Sequence, residues 1–266
     1  MPQLMRTSNP ALGENSFRGA RAIPYGERFG GSFSGEQREA MTLNGTVNKT
    51  GILLILAMAS AGWTWLQFMQ TRNPADVAPW MMLGLIGGFI FAMVTIFKKE
   101  WSPVTAPAYA LLEGLVLGGI SSIFELRYPG IAVQAVGLTF GTLFVLLFVY
   151  RAGIIRVTDK FRLGVVAATG GVALFYLGEM LLGFFGIHFT SNNSVNGSGV
   201  IGIGFSLIVV GIAALNLVLD FDFIEKGVQF GAPKYMEWYG AFGIMVTLVW
   251  LYLEMLRLLA KLNRRN

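Results

Sequence analysis

The chain has 266 residues with 20 Lys+Arg against 15 Asp+Glu, and it is 54% hydrophobic but only 13% charged, about half the roughly 25% charged share of soluble domains. With a mean hydropathy of +0.60, the apolar residues form either an outsized core or a surface facing lipid, and their arrangement in long runs selects lipid. The lack of cysteine excludes disulfide scaffolds, thiolate zinc sites, iron–sulfur clusters and cysteine nucleophiles.

Residues 1–49 are polar and rich in Gly, Ser, Arg and Asn. They read as a solvated cytoplasmic tail, with no apolar signal segment and no twin-arginine pair, since Arg18 and Arg21 are not adjacent. From residue 50 the chain becomes a succession of apolar stretches at 50–70, 78–97, 106–124, 131–151, 163–185, 199–221 and 238–260. Each is close to the roughly 20 residues that cross a bilayer as a helix. Backbone polar groups in lipid must be satisfied within the segment, so runs of this length are helices rather than barrel strands. The expected fold is all-α: a polytopic membrane protein built as a compact bundle of seven transmembrane helices over residues 50–262, with a short basic C-terminus at 263–266.

Basic residues near helix ends favour the cytoplasmic side. With the N-terminus inside, the tail, Lys98 and Lys99, the segment from Arg151 to Arg162, and Lys226 with Lys234 all face the cytoplasm, which collects most of the basic residues there. Arg72, Arg127 and the C-terminal Arg257, Lys261, Arg264 and Arg265 fall on the other side. That last cluster opposes the rule, so the final segment either spans, as favoured here, or re-enters. The pairs Gly84/Gly88 and Gly114/Gly118 have the small-xxx-small spacing that lets helices approach closely. Gly202 and Gly204 lie inside an apolar stretch without the third glycine and strand of a dinucleotide site.

Ionisable groups inside a span need a reason. Glu113 lies near the middle of the third stretch and is open to a functional or a structural reading, while Glu179 lies near the outward end of the fifth, where snorkelling is easy. The sixth stretch ends in NLVLDFDFIEKG, placing Asp220, Asp222 and Glu225 at its exit. At helical angles Asp220 and Asp222 point roughly 200° apart. Asp220, the deeper, is expected to face the interior and Asp222 to face water or a headgroup. In the seventh stretch Glu254 is followed three residues later by Arg257, which allows a local ion pair. An antiparallel sixth and seventh helix could instead bring Asp220 and Glu254 together. Two facing carboxylates in low dielectric cannot both ionise easily and tend to share a proton. Such a pair is a pH-sensitive latch and, when deprotonated, part of a weak Ca²⁺ site made of Asp220 and Glu254.

These motifs resemble the Bax inhibitor-1/YccA-type family, the transmembrane Bax-inhibitor-motif proteins. The resemblance covers about residues 50–262 and rests on YALLEGLVLGGI in the third stretch and on LVLDFDFIEKG followed by LVWLYLEMLRLL. It implies a pH-dependent Ca²⁺ leak gated by an acid pair, matched here by Asp220 and Glu254, with glutamate where the family carries aspartate. It also implies a basic latch at the end of the second helix, where this chain has Lys98 and Lys99. Glu113, Asp222 and Arg257 are auxiliary candidates.

The alternative is a non-conducting interaction protein that modulates a membrane protease or a stress response. No enzyme is expected: the GxSG and GxGD strings of intramembrane proteases are absent, and so is a GxxxxGK[ST] phosphate loop. No cofactor is expected beyond Ca²⁺ as permeant or bound ion. Nucleic acid is not an expected partner, because cytoplasmic loops beside anionic lipid account for the net charge of +5. His188, the sole histidine, falls in a polar outer loop and carries no expected role. The expected location is a bacterial cytoplasmic membrane, with the lipid bilayer as the principal partner.

Overall fold

The structure, a computed structural model, describes residues 40–186 and 195–265. Seven helices follow in chain order: α1 (Leu43–Thr71), α2 (Pro74–Phe97), α3 (Ser102–Arg127), α4 (Ile131–Arg151), α5 (Asp159–Phe184), α6 (Val200–Gln229) and α7 (Met236–Arg265). A 3₁₀ turn at Lys99–Trp101 precedes α3. All seven are long and apolar enough to cross a membrane, and the chain is an integral multi-pass membrane protein. The one β-type contact among the described residues is an isolated bridge between Ala40 and Pro233. His188 and most of the polar tail lie outside the described residues.

The helices fall where the apolar stretches lie but extend beyond several of them. Thr42 caps α1, its Oγ1 accepting from Gly45 N at 3.0 Å, so residues 43–49 are helical rather than part of the tail. Polar capping ends the apolar run without ending the helix. The α1–α2 connection is correspondingly tight. Arg72 adopts a left-handed φ of 51°, Asn73 Oδ1 accepts from Ala75 N at 3.1 Å, and Pro74 occupies the first helical position, where its missing N–H costs nothing. Glu125 caps α4 from a distance, accepting from Gly130 N at 2.5 Å and Ala132 N at 3.1 Å, a favourable place for a carboxylate beside the positive helix end. At the other end of α6 the helix continues to Gln229. Asp220, Asp222 and Glu225 are therefore held inside a helix rather than at a solvated exit.

The last helix is the centre of the bundle. α1, α3, α4 and α6 all rest on α7, and 67% of its apolar stretch is buried against 11% of that of α5. One cluster of core side chains joins Leu217 and Phe221 of α6 to Leu248, Leu251 and Leu256 of α7. A second joins Leu53 of α1 and Ala106 and Ala110 of α3 to Ala241 and Met245 of α7. α2 lies outside α3, and α5 touches the bundle mainly through α6. The outer faces of α2, α4 and α5 carry exposed Leu85, Phe89, Phe148, Leu174 and Leu181, an apolar surface suited to lipid.

Both glycine pairs mark close helix crossings. A methyl group on Gly114 or Gly118 would collide with the α1 backbone at Ala57 and Ala61, and one on Gly84 would collide with the Leu112 carbonyl of α3. α1 and α3 are thus pressed together at backbone distance, the geometry that small-xxx-small spacing permits.

The start of α1 and the α2–α3, α4–α5 and α6–α7 connections share one end of the bundle. Ser102 Oγ donates to Tyr235 O at 2.9 Å, and Tyr150 OH donates to Glu225 Oε2 at 2.5 Å. α7 runs from this end as one continuous helix to Arg265. It spans the bundle rather than re-entering.

Candidate functional site

α6 and α7 are antiparallel, and two polar contacts fix their register. Thr247 Oγ1 donates to Asp220 Oδ2 at 2.6 Å, and Lys261 Nζ donates to Ser206 Oγ at 2.9 Å. Glu254 lies seven residues beyond Thr247, which is two helical turns or roughly 10 Å along the helix pair. Asp220 and Glu254 are therefore set at different depths, each with its own partners, rather than facing one another. Asp220 is half-buried, and Thr247 holds it on the α7 side of α6.

Glu254 is 2% exposed. Its Oε1 accepts from Arg257 Nη1 at 2.7 Å and from Tyr176 OH at 3.0 Å, while Arg257 Nη1 also donates to the Tyr176 hydroxyl oxygen. The ion pair three residues apart thus forms as the spacing allows, and a tyrosine of α5 completes it. Glu254 Oε2 is buried with no hydrogen-bond partner among the described residues. A buried, unsatisfied carboxylate oxygen is costly, and this one lies in the middle of the central helix.

The expectation for Asp222 requires correction. It does not face water or headgroups: it is 8% exposed, and its Oδ2 accepts from Arg162 Nη2 of α5 at 2.6 Å and from Lys226 Nζ at 2.8 Å. The roughly 200° between Asp220 and Asp222 still holds. Because α6 is sandwiched between α7 and α5, both directions are covered, with Asp220 turned to α7 and Asp222 to α5. The basic latch also differs from the expectation. Lys99 sits over the Tyr239 ring at 5.2 Å, and neither Lys98 nor Lys99 forms a salt bridge among the described residues. The cations that meet an α6 aspartate are Arg162 and Lys226, and their partner is Asp222 rather than Asp220.

Arg162 belongs to a pattern that the sequence reading passed over. Arg162, Thr169 and Tyr176 recur at intervals of seven along α5 and therefore share one face. Arg162 meets Asp222, Thr169 Oγ1 receives a hydrogen bond from Asn216 Nδ2 at 2.8 Å, and Tyr176 meets Glu254 and Arg257. α5, the least embedded helix, is fastened to the bundle by a polar stripe as well as by the Phe175–Phe205 ring contact at 5.0 Å. A heptad search for polar residues on an otherwise apolar helix would have found it.

The remaining acids are dispersed. Glu113 is half-buried in α3 and turned toward Gly88 of α2, without a hydrogen bond or salt bridge among the described residues. Glu179 accepts from Asn196 Nδ2 at 2.6 Å. Glu237, one residue ahead of the seventh apolar stretch, is fully buried in the first turn of α7. Its Oε1 accepts from the Thr42 N–H and hydroxyl, both at 2.8 Å, and its carboxylate pairs with Lys49 and with Lys234, the latter at 3.4 Å. This clasp ties the start of α1 to the start of α7. The signal was a glutamate in the first turn of a helix, where the dipole favours it.

Among the described residues no three His, Asp or Glu side chains gather in a way that could hold a metal ion. Asp220 and Glu254, set two turns apart, do not form one shared cation site. The site is a set of separate carboxylates on the faces of α6 and α7, two of which fasten α5.

No curated protein and no solved structure gives a significant match to the chain. A family model described as Bax inhibitor 1 like matches residues 9–264, nearly the whole chain, and the protein belongs to that family.

Proposed function

We propose that this protein is a pH-sensitive cation leak channel, with Ca²⁺ as the permeating ion that the family resemblance implies, and that its gate is the attachment of α5. The observation that carries the reading is that α5 is fastened through carboxylates at two levels, Asp222 through Arg162 and Glu254 through Tyr176. With both contacts made, Arg162 is held and α5 closes the bundle. A proton on Asp222 removes its attraction for Arg162, and a proton on Glu254 alters the Tyr176–Arg257 contact. Acid therefore loosens α5, and flux rises as pH falls. Asp220, bound to Thr247, sets the α6–α7 register beneath this movement. Ca²⁺ in this reading passes through rather than residing, because the acids are dispersed.

The polar end that holds the Arg162–Asp222 clasp also carries Lys98, Lys99, Arg151, Arg156, Lys160, Lys226 and Lys234. We place it on the cytoplasmic side of a bacterial inner membrane, following the bias of short loops toward positive charge inside.

The test is Ca²⁺ flux into proteoliposomes from pH 5 to 8. Arg162→Gln and Asp222→Asn are expected to leak at neutral pH, and Glu254→Gln to flatten the pH response. An unchanged pH profile in Asp222→Asn/Glu254→Gln would sink the gate. No flux at any pH would overturn the channel reading and favour a non-conducting role through a membrane protease or another membrane protein.

A further inference from the structure

Lys261 is 7% exposed near the far end of α7, yet its ammonium reaches only neutral acceptors: Val195 O at 2.8 Å, Gly202 O at 3.1 Å and Ser206 Oγ at 2.9 Å. None of these partners is a carboxylate, and a buried ammonium inside a membrane bundle is costly without close negative charge. Beside it opens a cavity of about 350 Å³, lined by Arg257, Lys261 and Arg264 of α7, Arg127 at the end of α3, and Asn196 and Ser198 ahead of α6. That volume lies in the range of small-ligand pockets.

The cavity wall holds four cations and no carboxylate. The neighbouring acids lie outside this lining and accept hydrogen bonds of their own: Glu254 from Arg257 and Tyr176, Glu179 from Asn196, and Glu125 from the N–H groups of Gly130 and Ala132. Arg127 rests over the Tyr128 ring at 5.9 Å. Among the described residues, Arg127, Lys261 and Arg264 form no salt bridge. Two guanidinium groups without carboxylate partners, a buried ammonium and two neutral donors thus converge on one space. Guanidinium forks match the paired oxygens of a phosphate, free or carried by a lipid headgroup.

We propose that this cavity binds a phosphate-type oxyanion, presented either by free phosphate or by the phosphodiester headgroup of an anionic lipid. The bound anion adds negative charge beside Lys261 and the arginines and ties the ends of α3 and α7 to the segment ahead of α6. The cavity lies at the opposite end of the bundle from the Arg162–Asp222 clasp, so its occupancy is read by binding and independently of flux.

The experiment uses the full chain in neutral detergent, with two probes. Thermal unfolding is followed with inorganic phosphate against chloride at matched ionic strength. Native mass spectrometry compares retention of phosphatidylglycerol with that of phosphatidylcholine. The wild type is expected to prefer phosphate, phosphatidylglycerol or both, with the first arm reporting a soluble anion and the second a lipid. Arg127→Gln and Arg264→Gln, both near helix ends away from the core, are expected to weaken the preferred probe about tenfold each. Arg264→Lys should retain part of the binding, which separates charge from a folding defect. Equal response to phosphate and chloride together with equal retention of the two lipids would overturn the proposal. So would unchanged affinity in the Arg127→Gln/Arg264→Gln variant.

Discussion

Glu237 shows how much a single side chain can fasten in this molecule. It is fully buried, yet every partner comes from outside the body of its own helix: the N–H and hydroxyl of Thr42, Lys49 of α1, and Lys234 just before α7. Removing one member of a buried pair costs more than replacing both, because the remaining charge is left without compensation. Glu237→Leu is expected to destabilise the protein by about 3 kcal/mol, the lower end for a buried pair, since the Lys49 side chain retains 16% exposure and can reach water. Glu237→Leu/Lys49→Met should recover much of the loss. Thermal unfolding in detergent checks both variants, and equal midpoints for Glu237→Leu and the wild type would mean that the clasp contributes nothing.

At the scale of helices, the bundle is unevenly held. α7 is enclosed by four neighbours, and α1 and α3 meet at glycine contacts with little room for adjustment. α5 has one principal neighbour, and its stripe of Arg162, Thr169 and Tyr176 supplies polar contacts that depend on charge. Helices with few buried apolar contacts open locally at lower free energy than the core. Amide hydrogen exchange is expected to be faster in α5 than in α7, and faster again at the start of α5 in Arg162→Gln. Protection of α5 equal to that of α7 in both proteins would show that it is not the movable element.

Across the whole molecule, both ends carry positive charge, in different arrangements. One end gathers Lys98, Lys99, Arg151, Arg156 and Lys160 around short connections, while the other holds the cavity of Arg127, Arg257, Lys261 and Arg264. Because the chain has no cysteine, single cysteines report sidedness without background. Ala152→Cys, in the α4–α5 connection, is expected to react with an impermeant maleimide only from the cytoplasmic face. Thr71→Cys, at the end of α1, is expected to react only from the opposite face. The reverse pattern would invert the orientation and place the Arg162–Asp222 clasp outside.

The apolar runs alone specify a seven-helix membrane bundle. Long apolar runs leave the backbone no option but to satisfy its hydrogen bonds within each segment, and that demand is local. Spacing along one helix also pointed to close packing at Gly114 and Gly118 and allowed the Glu254–Arg257 pair, because it fixes which residues share a face. Helix ends were less legible, since caps such as Thr42 and the charged last turns of α6 look like loop in composition. Which partner each charge found depended on how the helices pack. Two helices brought Asp220 to Thr247 rather than to Glu254, a third brought Arg162 to Asp222, and Lys261 was left beside a basic cavity with neutral hydrogen-bond partners. The physical reason is that interhelical register is set by packing along the full length of each contact. A shift of two turns leaves the hydrophobic pattern of either helix unchanged, while it replaces every polar partner across the interface.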